Sequence, residues 1–167
     1  MSVMPIKIYG NPILREEAAP VTGVTDEVRD LVRRMTESLY YHQGLGLAAN
    51  QVGVASRVFL ADDGKGLKVI INPVILERDG RAAGEEGCLS FPEVFVEIPR
   101  AESLLLEYLD EGGEVRRLEA EGLLARIIQH EYDHLDGVLI CDRAGFIASR
   151  LIGGKLKKLR KKARESM

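Results

Sequence analysis

Two of the three histidines in the chain lie four residues apart, in the run Gln129-His130-Glu131-Tyr132-Asp133-His134. On a helix this spacing places both imidazoles on one face, one turn apart, where their nitrogens can bind a single cation. Glu131 lies about 100° around the helix from His130, so its carboxylate can border an open coordination position without being a ligand. The pattern predicts a metal site with His130 and His134 as ligands and Glu131 as the proton-transfer group.

Apolar residues surround the two histidines on nearly every side of this predicted helix. They are Leu123, Leu124, Ile127, Ile128 and Leu135. Such a distribution is typical of a helix buried in a core rather than lying on a surface. Unpaired polar groups are costly to bury, and a bound metal ion would give the histidines and acids of this helix a partner.

A third ligand must join the two histidines, because catalytic zinc-type sites use three protein ligands and one open position. The 30 residues after Gly137 contain no histidine and a single glutamate, Glu165, so the ligand is expected upstream. Cys88 is a candidate, since residues 85–92 are predicted to be a turn-rich connection between strands from which a thiolate could reach a cleft. A free cysteine is also commonly a small buried hydrophobe, and this interpretation is the one adopted for Cys141.

The elements that must position these groups begin with a helix that Thr25 can cap and whose apolar stripe continues to Leu39. This helix is expected to end near Gly44. The following run, Gly44-Leu45-Gly46-Leu47-Ala48-Ala49-Asn50-Gln51, has small side chains at four of its first six positions. It forms either a helix end and a tight turn, or a bare backbone that a ligand can approach closely.

From Arg57 onward the pattern predicts strands, because short segments rich in β-branched or alternating apolar residues are separated by turn residues. These segments are residues 58–60, 67–71, 74–76, 94–98, 103–109 and 115–118. Asp62-Asp63-Gly64 and Glu111-Gly112-Gly113 are expected to be hairpin turns. Since the strands follow one another without intervening helices, the sequence predicts an α+β fold with an antiparallel or mixed sheet packed on helices.

The C-terminal segment, residues 144–167, is predicted to be a helical tail that Gly153-Gly154 weakens or breaks. Residues 155–167 contain seven basic residues and one acidic residue, whereas the whole chain has a net charge of −3. This basic appendage is either a solvated helix face or a surface for the phosphates of a nucleic acid.

Length and composition predict one domain covering residues 1–167, since 167 residues with 46% apolar content can form a single core. No apolar run approaches the roughly 18 residues that span a bilayer. Residues 1–9 lack a charged region followed by an apolar core, so no signal peptide is predicted and a cytoplasmic protein is expected. Two cysteines are too few for a disulfide scaffold.

Three motifs together resemble those of the peptide deformylase family. They are the glycine-rich run 44–51, the run Glu86-Gly87-Cys88-Leu89-Ser90 and the histidine motif 129–134, in the order and at the separations usual in that family. The N-terminal run Tyr9-Gly10-Asn11-Pro12-Ile13-Leu14-Arg15 also resembles the family, so the likeness covers nearly the whole chain. It favours a functional role for Cys88 and for the glycine-rich run.

The resemblance implies hydrolysis of the N-formyl group from the initiator methionine of newly synthesised polypeptides, with release of formate. It implies a mixed, mainly antiparallel sheet arrangement wrapped around a central helix that carries the histidines. Cys88, His130 and His134 would bind one divalent ion, Fe(II) in the cell, with Zn, Ni or Co possible in purified protein. The implied partners are N-formylmethionyl nascent peptides and the ribosome, which the basic tail would contact; neither a membrane nor a specific DNA is expected.

The resemblance also assigns roles around the metal. The side-chain amide of Gln51 and the backbone N–H of Leu89 would stabilise the developing negative charge, beside Glu131. Substrate-binding positions are Gly44, Leu45, Gly46, Glu86, Gly87, Leu123, Arg126 and Ile127. Arg126 either offers its aliphatic stem to the pocket and extends its charge to solvent, or narrows the pocket. Apart from the resemblance, Arg100 and Asp133 are candidates for an ion pair that holds the site in shape, or for an ordinary structural salt bridge.

Two other functions are considered. A general HExxH metallopeptidase would explain the histidine pair, but it would often use a ligand downstream of the motif, and this chain offers none there. A non-catalytic ribosome- or RNA-binding module would explain the basic tail, but it has no use for Glu131, Gln51 and Cys88. The sequence therefore favours the deformylase.

Overall fold

A buried helix, α2 (Gly122–Leu135), carries the histidine motif through the middle of the fold. The computed structural model describes residues 3–167; residues 1 and 2 of the domain predicted from the sequence lie outside the described residues. Nine of the 14 residues of α2 are buried. Ile127, Ile128 and Leu135 are buried and Leu124 packs against the same cluster, as the pattern predicts, whereas Leu123 is about half exposed.

Helix α1 (Asp26–Tyr41) begins where the sequence predicts. The hydroxyl of Thr25 accepts a hydrogen bond from the backbone N–H of Val28, and Asp26 and Glu27 lie in the positive first turn. The helix ends at Tyr41, three residues before the expected end at Gly44. The run that follows forms a short strand, β1 (Gly46–Ala48), and a 3-10 helix rather than a simple turn.

The larger sheet has five antiparallel strands in the order β1-β2-β3-β6-β7. Besides β1, its strands are β2 (Val58–Asp62), β3 (Leu67–Asp79), β6 (Ser103–Leu109) and β7 (Val115–Glu121). Two strands predicted from the sequence merge into β3, because Asn72 and Pro73 interrupt the pairing with β6 without ending the strand. The register shifts between Ile71 and Val74, and Asn72 has a φ of 49°.

The smaller sheet pairs β4 (Ala82–Cys88) with β5 (Phe91–Arg100). The sequence does not predict β4, since alanine, glycine and glutamate are poor strand formers and here the pairing with β5 imposes the conformation. Cys88 is therefore the last residue of a strand, and the connection predicted over residues 85–92 is much shorter than expected. The turn itself is Leu89-Ser90, because Cys88 pairs with Phe91.

The larger sheet separates two parts of the core. Phe59, Ile70 and Leu106 pack against α2, whereas Leu60 and Ile71, which alternate with them, pack with Met35 and Leu39 of α1. A third cluster joins β5 to the C-terminal helix. Helix α2 packs against the larger sheet and contacts both strands of the smaller one through hydrogen bonds. The expected α+β fold with antiparallel sheets around the histidine helix is confirmed.

The C-terminal part forms α3 (Ile140–Arg143) and α4 (Phe146–Glu165). Of the two expectations for Gly153-Gly154, a weakened or a broken helix, the break was wrong, since α4 continues through both glycines. Burial of Ile152, Leu156 and Leu159 against β5 offsets the low helix propensity of glycine. Within residues 3–167, no helix combines the length and the apolarity needed to cross a membrane.

Candidate metal centre and active-site cavity

Three potential ligands from two elements converge in the structure. Cys88 lies at the end of β4, and His130 and His134 lie one turn apart on α2. One donor atom from each, the sulfur and two ring nitrogens, lie within 4.8 Å of one another. The Cys88 Sγ is 3.4 Å from His134 Nε2. A thiolate and two imidazoles form a donor set that suits a borderline-soft divalent ion, so these residues fit the metal that the sequence implies.

His130 is oriented by a buried carboxylate. Its Nδ1 lies 2.9 Å from Glu86 Oε1, which leaves Nε2 for a metal ion. Burial lowers the pKa of His130, but the negative groups of Glu131 and Cys88 outweigh it and hold that pKa well above its ordinary value. Burial, together with the neighbouring His130, lowers the pKa of His134 well below its ordinary value. A cation bound here would replace the proton on His130.

Glu86 belongs to an ion network behind the histidines. Arg100 donates from Nε and Nη2 to the two Glu86 oxygens, at 2.9 and 3.0 Å, and from Nη1 to Asp133 Oδ2 at 2.6 Å. Burial raises the pKa of Glu86, but hydrogen bonds from His130 and Arg100 outweigh it and bring that pKa to about 2. The ion pair predicted between Arg100 and Asp133 is present, and Arg143 also binds Asp133.

Glu131 is buried beside the histidine pair. Its Oε2 lies 3.9 Å from His130 Nε2, and its Oε1 has no hydrogen-bond partner among residues 3–167. Burial, opposed by His130 and reinforced by the charge of Glu86, raises the pKa of Glu131 to about 7. A carboxyl group with this environment can both accept and return a proton near neutral pH.

Bare backbone lies directly against this carboxylate. A methyl group on Gly46 would lie 2.6 Å from Glu131 Oε2. The sequence gives Gly46 a role in admitting the peptide; the structure shows that the missing side chain also makes room for Glu131.

Gln51 is held at the sulfur of Cys88. Its Oε1 accepts a hydrogen bond from the backbone N–H of Ala48, and its Nε2 donates to Ser90 Oγ at 3.0 Å and lies 3.5 Å from Cys88 Sγ. The amide N–H group is therefore fixed at the edge of the donor set. Leu89 follows Cys88 in the turn between β4 and β5 and lines the same cavity. Its backbone role stays a prediction.

A cavity of about 540 Å³ opens beside Cys88, His130 and Glu131. All eight substrate-binding positions predicted from the sequence line it, together with Gln51 and Leu89. His134 is 1% exposed and is not among the lining residues. Seven lining residues are not among the site residues predicted from the sequence: Gln43, Glu85, Phe91, Pro92, Glu93, Val94 and Phe95. Apart from Gln43, they lie on β4 and β5, and only the pairing of those strands brings them to the cavity.

The structure contradicts one of the two alternatives for Arg126, a charge extended to solvent. Its guanidinium does not extend to solvent, because it donates to Glu86 Oε2 at 2.6 Å and to the carbonyl oxygens of Ile98 and Ala82 at 2.9 and 2.8 Å. The guanidinium charge therefore lies within the wall of the cavity.

The sequence also assigns Glu86 only to the pocket and misses its contact with His130. Glu86 and Cys88 are two residues apart, a spacing that places side chains on one face of a strand, so recognition of β4 would have indicated a shared direction.

A donor set of one half-buried cysteine and two buried histidines, with an adjacent carboxylate and a fixed amide beside a cavity, defines a metallohydrolase of the HExxH type. The family model of polypeptide deformylase matches residues 3–149. A peptide deformylase from Thermotoga sp. (strain RQ2) is 47% identical over 152 residues, which are 90% of this chain and 93% of the relative.

Two solved structures share the fold. The peptide deformylase of Thermus thermophilus is 41% identical, with a TM-score of 0.91 and coverage of 96% of this chain and 99% of that one. The enzyme of Synechococcus elongatus in complex with actinonin is 38% identical, with a TM-score of 0.88 and coverage of 93% and 87%. The chain belongs to the polypeptide deformylase family. It is an enzyme that removes the N-formyl group from nascent peptides.

Proposed function

We infer that the chain hydrolyses the formyl group of N-terminal formylmethionine, releasing formate, through Cys88, His130, His134 and Glu131. The observation that carries this assignment is the convergence of three donor atoms within 4.8 Å, beside a buried carboxylate, at one end of the cavity. A divalent ion held there would supply Lewis-acid chemistry, lowering the pKa of a water and drawing charge from the formyl oxygen. We propose Fe(II) as the resident ion, with Zn, Ni or Co able to take its place.

Glu131 takes the proton from the attacking water and returns it to the leaving amine. Its Oε1 has no other partner among the described residues, and its raised pKa suits both steps. Gln51 Nε2 and the backbone N–H of Leu89 donate to the oxygen that gains negative charge. The position of the Gln51 amide next to Cys88 Sγ supports this role.

The apolar wall of the cavity suits the side chain of an N-terminal methionine. Leu45, Leu123 and Ile127 offer apolar surface on its wall, and the first two are about half exposed, so a methionine side chain could contact them. The formyl group is the smallest acyl group, so a tight space at the donor set excludes acetyl and larger groups.

The decisive test uses protein reconstituted anaerobically with Fe(II) or Ni(II) and a formyl-Met peptide. We expect release of formate, and a loss of about 10²-fold or more in kcat for Glu131→Gln with metal content unchanged. Cleavage of internal peptide bonds would indicate a metallopeptidase instead. Absence of both activities in metal-loaded protein would indicate a non-catalytic binding module. Metal analysis of protein isolated without oxygen identifies the resident ion.

The domain organisation and the location are also proposals. We infer one catalytic domain over residues 1–167 with a tail at 144–167, which agrees with a family match that ends at residue 149. A cytoplasmic location follows from a substrate that exists only while chains are being synthesised. Fractionation of cells that express a tagged chain tests this.

We further propose that the tail contacts the ribosome. Helix α4 exposes basic side chains along its second half, at Lys157, Lys158 and Lys161, where they can reach the phosphates of ribosomal RNA. Reversal of these three charges to glutamate is expected to abolish salt-sensitive co-sedimentation with ribosomes while formate release from a free peptide stays unchanged. Equal co-sedimentation of both proteins would contradict the proposal.

A further inference from the structure

Arg126 lies one helical turn before His130 on α2 and reaches across to both strands of the smaller sheet. It donates to the carbonyl oxygen of Ala82 on β4 and to that of Ile98 on β5, and it forms a 2.6 Å ion pair with Glu86. The side chain is 17% exposed. Three fixed acceptors on two strands leave the guanidinium fork one orientation.

The carboxylate of Glu86 is shared between two arginines and a histidine. Its Oε1 faces His130 Nδ1 at 2.9 Å, while its Oε2 accepts from Arg126 Nη1 and from Arg100 Nε. Arg100 comes from β5, whereas Arg126 comes from the same helix as His130. Arg126 therefore ties the carboxylate directly to the helix whose histidine it orients, whereas Arg100 reaches that helix through Asp133.

A glycine makes this arrangement possible. Gly84 lies on β4 where the guanidinium crosses the strand, and a methyl group there would lie 2.9 Å from Arg126 Cζ. A side chain at this position would displace the guanidinium, because the contact is too close. The displaced guanidinium could not keep its hydrogen bonds to all three acceptors. The bare backbone of Gly84 and the reach of Arg126 are two parts of one contact.

We propose that Arg126, in contact with Gly84, is a positioning residue for the metal centre. Its guanidinium holds the Glu86 carboxylate against Nδ1 of His130. The inference rests on the proposed metal site and assigns Arg126 a role beyond the wall of the substrate pocket. Groups that orient a metal-binding histidine change metal affinity or activity by about 10–100-fold when they are lost. Arg126 acts through one such group, so we expect an effect near the lower end, about tenfold.

The experiment compares Arg126→Leu, Arg126→Lys and Gly84→Ala with the wild type after loading with Co(II). The absorption bands of bound Co(II) report ligand geometry, and the rate of Co(II) transfer to a chelator reports retention. We expect shifted bands and about tenfold faster transfer in Arg126→Leu and Gly84→Ala. Arg126→Lys should lie between them and the wild type, because an ammonium can pair with Glu86 but cannot reach all three acceptors.

Arg57→Leu is the matched control. Arg57 also donates to two carbonyl oxygens, of Ala18 and Leu135, and pairs with one carboxylate, Asp136, with a side-chain exposure of 13%. Its carboxylate does not touch a histidine in the described chain. The control should lose stability to a similar degree while keeping the wild-type Co(II) bands and transfer rate.

The kinetic constants separate positioning from substrate contact. With Co(II) saturating, a positioning role lowers kcat in Gly84→Ala with little change in KM for a formyl-Met peptide, whereas loss of a substrate contact raises KM. Bands and transfer rates that match those of Arg57→Leu in all three variants would overturn the inference. A wild type that neither binds Co(II) nor releases formate would instead overturn the proposed function.

Discussion

Glu131 and Gly46 show how closely the proposed chemistry depends on single atoms. The carboxylate of Glu131 lies where a methyl group on Gly46 would be 2.6 Å away, and the contact is with the end of a side chain rather than with backbone. The fold can therefore absorb such a methyl group by moving Glu131, at the expense of its position beside His130.

Gly46→Ala should lower kcat by about 10²-fold, because a displaced carboxylate cannot transfer the proton efficiently. Unfolding in urea should change little. Steady-state formate release and an unfolding curve measure the two effects. Gly23→Ala is the matched control, since a methyl group there meets nothing within 4 Å in the described structure. Wild-type kcat in Gly46→Ala would contradict the proposed position of Glu131.

Gln51→Ala should lower kcat by about 10²–10³-fold, the range seen when one donor to a developing oxyanion is removed. The amide is already aimed at the sulfur of Cys88, so its loss removes a fixed donor and no ligand. Measured kcat at full metal content tests this. Ser90→Ala, which removes only a partner of the amide, should have a much smaller effect, and equal losses in both variants would argue for a purely structural role.

Among the elements, α4 departs most from its expected form. Two adjacent glycines predict a weakened or broken helix, yet the helix continues from Phe146 to Glu165. Helix propensity is a local preference of less than about 1 kcal/mol per glycine relative to alanine, and the burial of Ile152, Leu156 and Leu159 outweighs it.

Gly153→Ala and Gly154→Ala should each stabilise the protein by about 0.5–1 kcal/mol, because both lie within a helix and neither methyl group would meet any described atom within 4 Å. The midpoint of urea unfolding measures the change. Gly137→Ala should do the opposite, since its φ is 71° and a methyl group there would lie 2.5 Å from the carbonyl oxygen of Arg15. Destabilisation by the two α4 substitutions would indicate that the glycines are needed for packing.

For the molecule as a whole, the donor set joins elements from distant parts of the chain. Cys88 is the last residue of β4 in the smaller sheet, whereas His130 and His134 lie on α2. An ion bound by all three is bound only by the folded state, so its affinity adds to the free energy of unfolding.

Addition of Co(II) or Ni(II) to metal-free protein should raise Tm by roughly 5–10 °C. Free ion at a hundredfold excess over Kd adds about 2.7 kcal/mol, and 1 kcal/mol corresponds to about 2–4 °C for a chain near this size. Calorimetry with and without a chelator measures the shift. In Cys88→Ser most of it should vanish, and an equal shift in that variant would place the ion elsewhere.

The sequence by itself determined the parts of the protein that depend on short-range spacing. The four-residue interval between His130 and His134, the cap at Thr25 and the apolar runs of β2 and β6 each lie within or at the end of a single helix or strand, so local pattern is enough to locate them. The three motifs likewise indicated the family, because their residue types and order can be read from the sequence alone.

Only the tertiary structure decided which groups meet. Strand β4 has no local preference for its conformation and exists through pairing with β5, so the contact of Glu86 with His130 and the seat of Arg126 on Gly84 were invisible in the sequence. The course of α4 through two glycines was decided in the same way. In each case burial and pairing across long stretches of chain outweigh local propensity, because they involve more surface and more hydrogen bonds than neighbouring residues can offer.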